Sequence, residues 1–190
     1  DQPSHEATVY INNKGLGSAS IAGQEDLVLP ERELRLVFNG DRVKVRQTSV
    51  DRKGRAMGFI TEVVQRRVKQ LIGQVAEHDG EYFIQPGHPN KHQPITLEKE
   101  LIEHANAKVG DMLRVAIDDY PTREELATAH VVQSMADKAD TEIIIPQTIL
   151  EYGLPYEFPE AVVKEAESFK EPSANDIKGR VDLRDLPLVT

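Results

Sequence analysis

Gly40-Asp41-Arg42-Val43-Lys44-Val45-Arg46 alternates polar and apolar residues, as a strand buried on one face must. Seventy residues later, Gly110-Asp111-Met112-Leu113-Arg114-Val115-Ala116-Ile117 opens on the same Gly-Asp pair and follows much the same pattern. Each stretch leads through a polar hinge into a second apolar run that ends in Val-Val-Gln. Phe59, Ile60, Val63 and Val64 carry the first of these runs. Ala127, Ala129, Val131 and Val132 carry the second.

Short apolar stretches with turn signals between them precede each copy. In the first they fall at 7–11, 17–21 and 26–29. Asn12-Asn13-Lys14-Gly15 is a hairpin signal there, because Asn and Gly tolerate positive φ. In the second they fall at 71–76, 82–84 and 95–97, and Asp79-Gly80 supplies the matching turn. Five short strands per copy, evenly spaced and without a long helix, predict a mainly β chain of two tandem five-stranded barrels. Closing a small sheet removes its exposed edges. An SH3-like barrel gives the same periodicity as an OB barrel, so the pattern alone leaves the barrel type open.

After Gln133 the period changes. Ile143, Ile144, Ile145, Ile149 and Leu150 suggest a helix over 140–152, with Thr141 as its cap and Pro146 near its start or at a kink. Gly153-Leu154-Pro155 ends it. Pro159 then opens a second helix carrying Ala161, Val162, Val163, Ala166 and Phe169, and a Pro/Ser/Asn break follows at 172–175. The expected domains are 5–67, 68–134 and a helical linker over 135–190.

Composition agrees with small units. The chain has 190 residues, 39% hydrophobic and 5% aromatic, with no Trp, which suits two small cores better than one large one. It has no Cys, which excludes disulfides, thiolate zinc sites and Cys nucleophiles and fits a reducing cytoplasm. No apolar window reaches the roughly 18 residues a membrane span needs. The net charge of −9 argues against a nucleic-acid partner until its distribution is considered. Residues 41–69 hold nine bases against three acids, a local +6 that leaves −15 elsewhere. A basic face on an acidic body attracts polyanions, although solvated strand edges carry charge too.

Other candidate sites read as structural. His88 and His92 have a helical metal-ligand spacing, but Pro86, Gly87, Pro89 and Pro94 forbid the helix and favour a solvated loop. Asp118-Asp119 and Glu124-Glu125 flank Tyr120-Pro121 and read as a turn rather than a cation site. Gly15-x-Gly17 serves a hairpin, and no G-x-S-x-G nucleophile motif is present. Tyr10, Phe38 and Phe59 read as core.

Asn39-Gly40-Asp41-Arg42-Val43, Asp51-Arg52-Lys53-Gly54-Arg55 and the Gly179–Thr190 run resemble the ribonuclease II/R family of exoribonucleases. Gly153-Leu154-Pro155-Tyr156 and Phe158-Pro159-Glu160-Ala161-Val162 extend the likeness, in order and spacing, from about His5 to Thr190. The resemblance implies tandem cold-shock (OB) domains that guide single-stranded RNA into a catalytic channel, where RNA is hydrolysed from its 3′ end with Mg²⁺ held by aspartates. Leu186, Leu188 and Val189 look like the start of a strand leading into the family's own catalytic domain, whose aspartate cluster lies beyond Thr190. On this reading the chain carries no catalytic residue, metal or cofactor and has no nuclease activity by itself. It would act as a cytoplasmic monomer.

The expected RNA contacts are Lys14, Arg42, Lys44, Arg46, Arg52, Lys53 and Arg55 through phosphates, with Tyr82 and Phe83 stacking on bases. Only one of the two aromatics can face out of an alternating strand. The first copy departs from the family pattern, since Leu16 and Ser18 stand where an aromatic is usual. Two rivals remain: a stand-alone tandem OB factor in RNA binding or translation, and a protein-docking module using the acidic 70–178 region.

Overall fold

Both Gly-Asp pairs make the same turn. Gly40 and Gly110 have φ of 87° and 96°, the left-handed region that glycine enters without a Cβ penalty. Gly40 N–H donates to Val9 O at 2.8 Å and Val9 N–H returns a bond to Asp41 O at 2.9 Å. Gly110 and Asp111 repeat this exchange with Val75, at 2.9 and 2.8 Å. Each aspartate also accepts the N–H three residues before it, Phe38 at 3.0 Å and Lys108 at 2.9 Å. The repeat in the sequence is therefore a repeat of one backbone device. It delivers the chain into the long fourth strand of each barrel.

The computed structural model describes residues 3–169 and 178–179. The first barrel consists of β1 (His5–Ile11), β2 (Gly17–Ser20), β3 (Leu27–Leu29), α1 (Glu31–Leu34), β4 (Arg42–Val50) and β5 (Ala56–Gln65). The second consists of β6 (Gln70–His78), β7 (Glu81–Pro86), β8 (Ile95–Thr96), α2 (Lys99–His104), β9 (Met112–Asp119) and β10 (Ala127–Ser134). Each closes in the order first-second-third-fifth-fourth, with the third and fifth strands parallel and the other pairs antiparallel. That topology resolves the choice left open by periodicity in favour of the OB type. Val9, Ala19, Leu29, Val43, Val45 and Ile60 fill the first barrel. Leu71, Val75, Ile84, Ile95, Leu113 and Val115 fill the second.

Two short helices were not anticipated. At four and six residues, α1 and α2 are too brief to show a 3.6-residue period. Each lies between the third and fourth strands of its barrel, and Leu34 and Ile102 turn inward from them. Beyond the barrels, α3 (Asp140–Glu151) buries Ile143 and Leu150 against Ile72 and Met135. Its start differs from expectation. Thr141 lies inside the helix and Ala139 occupies the cap, where the Glu142 carboxylate accepts the Ala139 N–H at 3.0 Å. A separate compact unit begins at Glu157 and contains α4 (Glu160–Ser168), capped by Pro159 and with no buried residue. The expected break at 172–175 and the strand start at Leu186–Val189 lie outside the described residues. No helix among the described residues is long and apolar enough to cross a membrane.

The barrels interlock. Phe38, at the end of the first barrel's helical turn, is fully buried in the second barrel's core and meets Tyr120 edge-on at 6.3 Å. Gln93 Nε2 reaches the carbonyl oxygens of Leu34, Arg35 and Val37 at 3.3, 2.6 and 3.1 Å. His92 Nε2 donates to Val37 O at 3.0 Å, and Asn39 N–H donates to Asn90 Oδ1 at 2.8 Å. The loop read as solvated is thus half junction. His88 is exposed, but His92 is half-buried, and burial pulls its imidazole below the usual histidine range.

Candidate nucleic-acid interface

Val43 and Val45 turn into the first barrel, so Arg42, Lys44 and Arg46 form a row on the outer face of β4. The row is less bare than its sequence suggests. Arg42 Nη2 meets Glu6 Oε2 and Lys44 Nζ meets Glu62 Oε2, both at 2.7 Å. The hydrogen bond to Glu62 holds the Lys44 ammonium above the usual lysine range. Both pairs are exposed, where water and salt screen an ion pair and leave it weak. A phosphate can therefore compete for these cations, but it must displace a carboxylate. The guanidinium of Arg46 lies 5.0 Å from the Phe59 ring centroid.

The β4–β5 hairpin explains the Asp51-Arg52-Lys53-Gly54-Arg55 motif. Asp51 Oδ1 accepts the N–H groups of Lys53 and Arg55 at 2.8 and 2.9 Å, and Oδ2 accepts Arg55 Nε at 2.8 Å. These donors, the Arg55 N–H first, hold the Asp51 carboxyl below the usual carboxylate range. Gly54 turns the corner at a φ of 80°. Arg55 braces the turn, whereas Arg52 and Lys53 are exposed at its tip with no ion pair among the described residues. Lys14 stands on the β1–β2 turn, where Asn12 Oδ1 accepts the Lys14 and Leu16 N–H groups at 2.9 and 3.1 Å. The register Thr8↔Arg42 and His5↔Val45 runs the end of β1 toward the start of β4. Lys14 and the Arg52/Lys53 tip thus flank the β4 row at opposite ends rather than forming one cluster.

The aromatics divide differently from expectation. Along β7, Tyr82 shares the inward parity of Ile84 and Pro86 and packs against the core. Phe83 takes the opposite parity, half-buried on the outer face. Tyr10, expected in the core, is 62% exposed, because Ala7, Val9 and Ile11 occupy the inward positions of β1. It stands opposite Ser18, where the second strand lacks its own aromatic. Phe59 is not core either. It is half-buried, with Arg46 at 5.0 Å and Arg123 at 4.5 Å from its ring centroid.

Arg123 escaped the sequence reading. It extends from the β9–β10 loop of the second barrel onto the first, bonding both Glu33 carboxylate oxygens at 3.2 and 3.1 Å and Ile60 O at 3.0 Å. The neighbouring acids are engaged in a turn. Asp118 meets His130 Nδ1 at 2.7 Å, Asp119 accepts the Thr128 hydroxyl at 2.9 Å, and the Thr122 hydroxyl oxygen accepts the Glu124 and Glu125 N–H groups. No group of three His, Asp or Glu among the described residues can hold a metal ion.

Two family profiles match the two barrels. The ribonuclease B OB domain matches residues 7–63 and the cold shock domain matches residues 83–159. The chain is 31% identical over 170 residues to ribonuclease R of Acidithiobacillus ferrooxidans, covering 89% of this chain and 39% of that protein. It is 29% identical over 187 residues to ribonuclease R of Escherichia coli, covering 97% and 23%. The chain belongs to the ribonuclease R family. It spans between about a quarter and two fifths of the length of these relatives.

Solved structures agree on the fold of this ribonuclease R-family chain. Apo ribonuclease R of Mycoplasma genitalium superposes with a TM-score of 0.66 at 17% identity, over 87% of this chain and 27% of that one. The same enzyme in complex with ribose-methylated single-stranded RNA gives 0.67 over the same shares. Yeast Ssd1, a pseudonuclease, gives 0.61 at 14% identity, over 80% and 25%.

Proposed function

We propose that the two barrels bind single-stranded RNA, largely independently of sequence, and guide it toward the catalytic domain of a hydrolytic 3′–5′ exoribonuclease. The observation that carries this reading is the family likeness, which covers residues 7–63 of the first barrel and runs from residue 83 of the second to residue 159. The Mycoplasma relative in complex with single-stranded RNA supports the choice of ligand. The physical basis is a set of exposed cations that pair with phosphates and release counterions. Tyr10 and Phe83 offer ring faces on which bases stack, each stack contributing about 1–3 kcal/mol. Lys14, Arg52 and Lys53 contact phosphate most directly, while Arg42, Lys44 and Arg55 do so at the expense of a carboxylate partner. The protein works as a monomer in the cytoplasm, a compartment that suits a chain without Cys. The chain alone does not hydrolyse RNA.

Fluorescence anisotropy of a labelled single-stranded RNA across a salt titration tests binding. Neutralising Lys14, Arg52 and Lys53 together weakens binding to every sequence and flattens the salt slope by about two units, at roughly 0.7 per phosphate. Neutralising Arg42, Lys44 and Arg55 does so less, because each already faces a carboxylate. Salt-insensitive binding would favour the protein-docking alternative. Incubation with end-labelled RNA and Mg²⁺ or Mn²⁺ leaves the RNA intact. Progressive 3′ shortening that persists through further purification overturns the inactivity of this chain.

A further inference from the structure

Where the first barrel hands the chain to the second there is a hollow of about 370 Å³ with a cationic lining. Arg42 and Gln65 pair across the start of β4 and the end of β5 and form one wall. Arg66, Arg67 and Lys69, on the connection into β6, form the other. No carboxylate lines it. The acid that organises it stands behind the wall. Asp41 has no exposed surface, accepts the Arg67 N–H at 2.8 Å and meets Arg66 Nη1 at 2.9 Å. Arg66 is held further by Leu36 O at 2.7 Å and by the Tyr120 ring at 4.6 Å.

Two glycines leave the space in which Arg67 lies. A Cβ on Gly40 would stand 2.2 Å from Arg67 Cδ, and one on Gly153 would stand 2.8 Å from the Arg67 carbonyl oxygen. Arg67 Nε is fixed by Tyr152 O at 2.8 Å. The lining arginines are therefore positioned before any ligand arrives, which lowers the ordering cost of binding. Lys69 is exposed and has no ion pair among the described residues.

We propose that this hollow is a phosphate-binding site that takes a phosphodiester of the RNA strand as it passes from one barrel to the other. This deepens the RNA-binding reading and rests on it. Two guanidiniums fixed by backbone carbonyls, with an unpaired ammonium beside them, suit an anion with several acceptor oxygens. Asp41 turns from a motif residue into a positioning residue, since it touches the arginines and not the ligand.

The test uses Lys69→Glu and Gln65→Glu in the 190-residue chain, with Lys99→Glu on α2 as a control that matches the charge change of Lys69→Glu and exceeds that of Gln65→Glu. Thermal melting establishes that each variant folds. Anisotropy with single-stranded RNA is then measured across salt. The expected result is a five- to tenfold loss of affinity for Lys69→Glu, with the salt slope flatter by about 0.7. Gln65→Glu loses a similar factor, and Lys99→Glu changes affinity by less than about twofold. Wild-type binding by both hollow variants, with weakened binding when Lys14, Arg52 and Lys53 are neutralised, overturns the hollow and leaves the function intact. No RNA binding by the wild-type chain overturns both. Inorganic phosphate is the second probe. Weak competition by it supports a strand phosphodiester, whereas full displacement of RNA at equimolar phosphate identifies a free-anion site and overturns the proposal.

Discussion

Glu33 has no exposed surface, yet three groups share its carboxylate: the Ile60 N–H at 2.9 Å, the Arg123 guanidinium and, at 3.6 Å, Arg32. A buried charge that loses its partner is costly, about 3–5 kcal/mol when the pair is fully enclosed. Arg123 is partly exposed and Arg32 remains, so Arg123→Met should destabilise the chain by about 2–3 kcal/mol. Urea unfolding at neutral pH measures this, and a loss below about 0.5 kcal/mol would contradict the assignment. Glu33→Leu added to Arg123→Met should recover part of the loss, because no buried charge then stays unpaired. Gly40→Ala should cost more than the usual left-handed strain of about 1–2 kcal/mol, since its Cβ also meets Arg67. Tyr10 was expected in the core, although the alternation from Ala7 to Ile11 already leaves it on the outer face. Arg123 was not legible. Its partners lie 63 and 90 residues away, and nothing local in its turn announces them.

Elements built on period two were the readable ones: β1 and the first half of β4 carry their own alternation, and Gly or Asp marks most hairpin corners. The cations on those strands were readable as a row. Their neutralisation was not, because Glu6 and Glu62 reach Arg42 and Lys44 from neighbouring strands through a register that composition does not encode. The helix α3 shows the same limit in another form. Ile143 and Leu150 pack under it, but Ile144 and Ile145 remain exposed in spite of their hydrophobicity. At its C-terminal end, burial pushes Glu151 up to about 7, from an ordinary value of 4.5. A carboxyl raised in the folded state favours folding while protonated. Its contribution is complete below about pH 4.5 and is lost as pH rises through about 7. Glu151→Gln should therefore melt like the wild type at pH 4.5 and higher than it at pH 8. Equal melting temperatures at both values would show that the carboxyl is solvated.

At the scale of the molecule, the two barrels are joined by groups whose loss would be felt in both. Phe38 fills the second barrel's core from the first barrel's chain, and burying such a ring contributes about 1.5–3 kcal/mol. Gln93, Asn90, His92 and Arg123 reach back to the first barrel's backbone and to Glu33. Residues 3–156 should accordingly unfold in one transition, with fluorescence and circular dichroism midpoints coinciding. The junction should also be sensitive to acid. His92 donates its Nε2–H to Val37 O from a half-buried position, and burial holds its pKa below the ordinary 6.5. A histidine depressed in the folded state takes up its proton more readily when unfolded. Its contribution is therefore complete above about pH 6.5 and declines as pH falls below it. Glu151 acts in the opposite direction over part of the same range, so the measurement belongs in the Glu151→Gln background. There, lowering the pH from 7.5 to 5.5 should reduce unfolding free energy. Adding His92→Gln, which keeps a side-chain donor for Val37 O but cannot titrate, should remove most of that dependence. A pH profile unchanged by His92→Gln would place the acid sensitivity away from the junction, and two separated transitions would show that the barrels fold independently.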